Sequence, residues 1–226
     1  MCRFASGGRR MADGRSRILE AVANASAPVP SSTSVTSDPI LVDAPDGTDI
    51  VAQFVERVRG YHAHAHDART ATQPDGLRQL IRRLLDDCGV EHVAVDSDFP
   101  EDWRPDGLAF SEDSRSSGAL TPSDLERVDA AITTAAVAIA ATGTVLLDHS
   151  GAQGRRVLSL VPDVHVVLVR EDTIYAEVPG AVRALGPRPL LTWISGPSAT
   201  SDIELERVEG VHGPRRLEVI VYRADR

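Results

Sequence analysis

Apolar positions along this chain follow two periodicities. A spacing of three and four recurs in Ile18, Leu19 and Val22, in Ile50, Val51, Phe54, Val55 and Val58, and in Leu77, Leu80, Ile81, Leu84 and Leu85. Such spacing collects each set on one face of a helix. It predicts helices over 15–24, 48–60 and 75–88, with Asp75 capping the third. Runs rich in Val, Leu and Ile over 90–95, 144–147, 164–169, 190–194 and 217–222 predict strands. Several of these runs have no polar side to turn to water, as a mostly parallel sheet covered on both faces requires. Residues 108–110 read as a short strand, Thr121-Pro122 as a capped helix start, and 176–185 as a weak helix. Residues 131–134 fit strand or helix by pattern alone. Strands alternating with helices define an α/β layered domain.

The segment 25–46 breaks the periodicity with Ser, Thr, Pro and Ala. It buries too little apolar surface to offset the entropy of ordering it. Residues 1–46 are therefore expected to be a flexible N-terminal region with one short helix, and 47–226 the α/β domain. Met11 reads as an alternative start, because the ten residues before it carry three arginines, no acid and no periodicity.

Charge and cysteine content narrow the function. The 226 residues carry a net charge of −9, opposite to the basic footprint of nonspecific nucleic-acid binding. All 24 basic residues are arginine, so a lysine Schiff base and a P-loop lysine are excluded. An anionic ligand would have to be held by arginine, backbone N–H groups or hydroxyls. The two cysteines, Cys2 and Cys88, are too few for a disulfide framework or for the ligands of an iron–sulfur cluster. Cys88 reads as a small apolar residue of a helix. No apolar run reaches the roughly 18 residues that span a bilayer, and the start lacks the apolar core of a signal peptide.

Four blocks concentrate candidate chemistry. Ala141-Thr142-Gly143-Thr144 places a glycine between two threonines just before a strand, either as a plain tight turn or as a backbone anion pocket. Arg155-Arg156 precedes the Leu158-to-Val167 run. Ile194-Ser195-Gly196-Pro197-Ser198-Ala199-Thr200-Ser201-Asp202-Ile203-Glu204 follows a strand with a row of hydroxyls. Within it, Ser201 and Glu204 have the spacing of a helix capping box. The ends of strands in open α/β sheets are where ligands bind. Val211-His212-Gly213-Pro214-Arg215-Arg216 adds a histidine between turn residues and an arginine suited to a carboxylate or phosphate. The tract Tyr61-His62-Ala63-His64-Ala65-His66-Asp67 looks like a metal tract, but it lacks an evident fourth ligand and reads better as histidines at a helix end. His149 and His165 border strands and read equally as structural or catalytic. No Gly-x-Ser-x-Gly is present.

Together these blocks resemble the LutC/YkgG family, the lactate-utilisation or LUD-domain proteins, from residue 11 onward and most strongly over 138–215. The resemblance implies the fold shared by sugar-phosphate isomerases and CoA transferases (NagB/RpiA/CoA transferase-like). It also favours a strand at 131–134 followed by a short helix through 135–140. It implies a cytoplasmic subunit for oxidising L-lactate to pyruvate, acting with partner proteins that carry iron–sulfur clusters. No cofactor would reside on this chain, which would bind a small anion or support assembly. A stand-alone CoA-transferase-like or sugar-phosphate-isomerase-like enzyme is the alternative. The implied ligand-binding residues are Thr142, Gly143, Thr144, Arg156, Ser195, Gly196, Ser198, Thr200, Asp202, His212 and Arg215, with no metal ligand. That family commonly carries glutamate where this chain has Ala141, so this position lacks the carboxylate that a role like the covalent glutamate of CoA transferases would need.

Overall fold

The computed structural model describes residues 14–25, 47–71, 75–114, 118–201, 207–209 and 213–224. The chain divides into two compact units, Met1–Pro39 and Ile40–Arg226. In the first, α1 spans Gly14–Ala25. The Ser/Pro-rich stretch 26–46 lies outside the described residues.

The second unit opens with α2 (Ile50–Gly60), whose N-terminal N–H groups are capped by the Asp49 carboxylate. Then follow β1 (His64–Asp67), α3 (Asp75–Asp87), β2 (His92–Asp96), β3 (Ala109–Asp113), α4 (Pro122–Leu125) and β4 (Ala130–Thr134). Thr121 and Asp124 form a reciprocal capping box at α4. After them come β5 (Val137–Ile139), β6 (Thr144–Leu147), β7 (Val164–Arg170), β8 (Ile174–Tyr175) and α5 (Val178–Leu185). The chain finishes with β9 (Thr192–Ile194), β10 (Ala199–Ser201), β11 (Arg207–Glu209) and β12 (Arg216–Tyr222).

Six strands form one sheet in the order β1-β12-β7-β4-β2-β3, with every neighbour parallel. Its two faces are buried by alternate residues of the same strands. Val167, Val169, Val219 and Val221 pack under α2 with Phe54 and Val58. Val166, Leu168, Ile220 and Tyr222 pack under α3 with Leu77, Ile81 and Leu85. This two-sided burial is why β7 and β12 read as mostly apolar runs, broken by His165 and Glu218.

Two expectations are corrected. The strands β6 and β9 do not join the parallel sheet. They belong to a second, four-stranded sheet, β8-β5-β6-β9, in which β6 is antiparallel to both neighbours. The segment 135–140 is not a helix, because β5 occupies it and pairs with β6 across the Thr142-Gly143 turn. Val137, Ala138 and Ile139 are all buried there, and that packing overrides the helix propensity of alanine. Ser201 lies in β10, opposite Arg207 of β11, and Glu204, its partner in the capping-box reading, lies outside the described residues. Among the described residues, no helix is long and apolar enough to cross a membrane.

The histidine tract also differs from its reading as a helix end. The α2 helix stops at Gly60, and β1 is an edge strand alongside β12. Extended backbone sends His64 and His66 to one side. There His66 Nε2 donates to Glu218 at 2.7 Å and His64 Nδ1 lies 3.3 Å from it. Arg216 donates to the same carboxylate at 2.7 Å. Burial opposes ionisation of Glu218, but the bonds from His66 and Arg216 outweigh it and hold the carboxyl below its ordinary value.

Candidate functional site

Strand β9 ends at Ile194, and the chain turns at once through Ser195-Gly196-Pro197-Ser198. The turn passes close to the end of α2. Gly196 has φ +99, and a Cβ there would stand 2.8 Å from that of Tyr61, so both the backbone angle and the space require glycine. Ser198 N–H donates to the Pro214 carbonyl at 2.8 Å, which clasps this turn to the segment entering β12.

A cleft of about 300 Å³ opens beside this clasp. One wall is Thr192 to Ser198, and another is the 3-10 turn of Arg156–Ser159 with Leu160. Its floor is His165 and Leu217, the second residues of β7 and β12, and Gly213 and Pro214 complete the rim. The cleft therefore lies at the C-terminal end of β9 but at the starting ends of the parallel strands β7 and β12.

The cleft's polar groups are one guanidinium, one imidazole and several hydroxyls. Among the described residues that line it, none is acidic. Thr192 is braced from behind: its hydroxyl lies 2.8 Å from His149 Nε2, while His149 Nδ1–H donates to the Gly154 carbonyl at 3.1 Å. His149 itself sits at φ +60, a left-handed angle uncommon outside glycine. The Gln153 side chain accepts from the N–H groups of Asp148 and His149, which fixes that turn. His165 is buried to 1 % exposure, and burial pushes its imidazole down to about 4. Its Nε2 lies 2.9 Å from the Thr133 hydroxyl of β4.

The structure sorts the residues implied by the sequence. Arg156, Ser195, Gly196 and Ser198 line the cleft. Thr142, Gly143 and Thr144 do not, although their turn does converge on the Ser195 loop. The Thr144 hydroxyl is 2.8 Å from that of Ser195, and Thr142 is 2.7 Å from Thr144. Gly143 faces α2 instead of the cleft, and a Cβ on it would stand 2.8 Å from the Arg57 carbonyl carbon and the Val58 nitrogen. This glycine permits close packing of a turn on a helix. Arg215 is exposed and 3.6 Å from Asp163. Thr200 sits in β10 opposite Val208. Asp202 and His212 lie outside the described residues.

Pattern reading missed Thr192, Ser159 and Trp193, and it left His165 open between a structural and a catalytic role. The available signal was small: one histidine inside the apolar run Val164-His165-Val166-Val167. The floor of the cleft is assembled by sheet order, which brings β7 and β12 together across more than forty residues of sequence.

Known proteins place this architecture. Residues 51–222 match the LUD domain family model. The lactate utilization protein C of Deinococcus radiodurans is 43% identical over 189 residues, covering 81% of this chain and 84% of that protein. The protein of the same name from Bacillus subtilis is 27% identical over 162 residues, covering 65% of this chain and 67% of its own length. A crystal structure of a DUF162 family protein from Deinococcus radiodurans superposes with a TM-score of 0.63 at 39% identity, covering 76% of this chain and 96% of that one. The chain belongs to the LUD domain family, among its LutC members.

Proposed function

We propose that this chain is a LutC-like subunit of a lactate-utilisation system and that its cleft holds a small carboxylate. The observation that carries this reading is the composition of the cleft wall. Arg156, the imidazole of His165 and the hydroxyls of Thr192, Ser195 and Ser198 can all meet an anion, and no described lining residue is acidic. A guanidinium and neutral donors in a partly enclosed cleft favour a bound carboxylate through charge-assisted hydrogen bonds. The names of the relatives supply the substrate class.

In this reading the electrons of lactate oxidation leave through iron–sulfur clusters on partner proteins. The chain holds only Cys2 and Cys88, and Cys88 is half-buried with its thiol pushed up by burial, which disfavours the thiolate that ligates metal. The contribution of this subunit is then binding, orientation or assembly in the cytoplasm.

Capture from the native host tests the assignment directly. Iron–sulfur proteins should co-purify, and a 2-hydroxy or 2-oxo carboxylate should be recovered with the chain. The isolated chain should be colourless and inactive with lactate and a dye acceptor. Stoichiometric visible absorbance in the isolated chain, or recovery of CoA or a sugar phosphate in place of a carboxylate, would refute the proposal.

A further inference from the structure

We infer that His165 is a specificity-determining residue of the cleft: a neutral ring whose Nδ1–H is donated to an acceptor oxygen of the bound ligand, which selects 2-oxo and 2-hydroxy carboxylates over 2-amino acids. This deepens the small-carboxylate reading and rests on it.

Thr133 is fully buried in β4, and among the described residues its Oγ1 has a single partner, His165 Nε2 at 2.9 Å. A buried hydroxyl hydrogen left without an acceptor carries its desolvation cost, so Thr133 donates and Nε2 accepts. An accepting Nε2 bears no proton. In the neutral ring the proton is therefore on Nδ1, and that tautomer is set by the second partner, as is usual for functional histidines. Burial without a compensating carboxylate keeps the ring neutral, with its imidazole pushed down to about 4.

Nδ1 has no partner among the described residues, and the fully buried side-chain polar atom without a partner among those residues is Arg104 Nε, so Nδ1 is not sealed off from solvent. Nδ1 thus keeps contact with the cleft that the residue lines. An almost wholly buried side chain with one unsatisfied donor at the floor of a cleft is a built feature, because its bonding capacity is completed only by water or a ligand.

Selectivity follows from this inventory. The floor offers a donor and the wall offers Arg156, while no described lining residue is a carboxylate that could neutralise an ammonium. A ligand whose second substituent carries an acceptor oxygen satisfies the floor. A 2-ammonio group at the same place would set donor against donor, with no carboxylate among the described lining residues to pair it.

The tautomer is read first, on the ligand-free full chain, by long-range ¹⁵N–¹H correlation of the histidine rings. The expected result is an Nδ1–H ring for His165 that stays neutral across the physiological range. Binding is then measured with pyruvate, L-lactate and L-alanine as probes. Pyruvate and lactate should shift the His165 Nδ1 signal, and alanine should bind at least about tenfold more weakly. His165→Leu should weaken pyruvate binding by about five- to tenfold, the worth of one hydrogen bond. His165→Asn, whose amide N–H falls near the position of Nδ1–H, should restore most of it. Thr133→Val removes the hydroxyl that sets the tautomer and should weaken binding without touching the cleft wall. An Nε2–H ring, equal affinity for alanine, or pyruvate binding unchanged in both His165→Leu and Thr133→Val would each overturn the inference. If neither carboxylate binds, the two readings fail separately: an Nδ1–H ring places the error in the ligand, and an Nε2–H ring places it in the donor assignment.

Discussion

Gly143→Ala separates the two meanings that the Thr142-Gly143-Thr144 turn carries in the sequence. Gly143 has φ +58, and a Cβ built on it falls 2.8 Å from the Arg57 carbonyl carbon and from the Val58 nitrogen of α2. Left-handed backbone costs an L-residue about 1–2 kcal/mol. Forcing a methyl group into backbone atoms that cannot rotate away adds about 1–3 kcal/mol of overpacking. The total is roughly 2–5 kcal/mol, which lowers the melting temperature by roughly 4–20 °C for a domain of this size. Gly89→Ala is the internal control. Gly89 also has a left-handed φ, +68, but a Cβ there meets nothing within 4 Å. It should show only the backbone cost of about 1–2 kcal/mol. Denaturant melts of both variants, with pyruvate affinity measured on the same folded samples, make the comparison. The structure predicts a larger stability loss for Gly143→Ala than for Gly89→Ala, with affinity retained. Equal melts for the two variants would refute the packing argument, and lost affinity with unchanged stability would show that the turn serves a ligand.

Three other outcomes follow from the geometry. Arg156→Ala should weaken carboxylate binding by about 1.5–3 kcal/mol, the range for a charge-assisted hydrogen bond, and leave the melting temperature nearly unchanged because the side chain is exposed. Arg215→Ala should change neither by more than about 1 kcal/mol, since its exposed pairing with Asp163 at 3.6 Å is a surface ion pair; calorimetric titration beside thermal melts checks both arginines. Glu218→Gln should cost about 1.5–3 kcal/mol at neutral pH by weakening the bonds from Arg216 and His66. The folded carboxyl is held below its ordinary value of 4.5, so its contribution is complete above that value and is lost as the pH falls through the depressed one. Melts of the variant and the parent chain should therefore converge in acid, and a difference that persists there would contradict the ionic assignment.

Local pattern already determined much of the second unit. The periodicity of Ile50 to Val58 and of Leu77 to Leu85 became α2 and α3, because a helix buries only one stripe and the stripe is written into the spacing. The runs at 164–169 and 217–222 became β7 and β12, because a strand covered on both faces admits no polar side. The ordered Ser195-Gly196-Pro197-Ser198 block was legible as a strand-end turn, since its glycine and proline restrict the backbone locally.

What the tertiary structure alone decided is which strands pair. The runs 144–147 and 190–194 are as apolar as the main-sheet strands, yet they lie antiparallel in a second sheet. An apolar run carries no information on partner or direction, and in 190–194 it does not report burial either, since Leu190 and Trp193 are exposed. For the same reason the segment 135–140, rich in helix-favouring alanine, became the strand β5 only through its pairing with β6. The cleft depends on this nonlocal step more than any single element does. Arg156, Thr192, His165 and Leu217 come from four separate segments, and His165 gains its character from Thr133 across the neighbouring strand. A side chain's rotamer and hydrogen bonds follow its spatial neighbours, which sequence spacing does not encode. His165 in the sequence is one polar letter in an apolar run, and only the assembled sheet, by burying its ring and occupying its Nε2, turns it into a single directed donor.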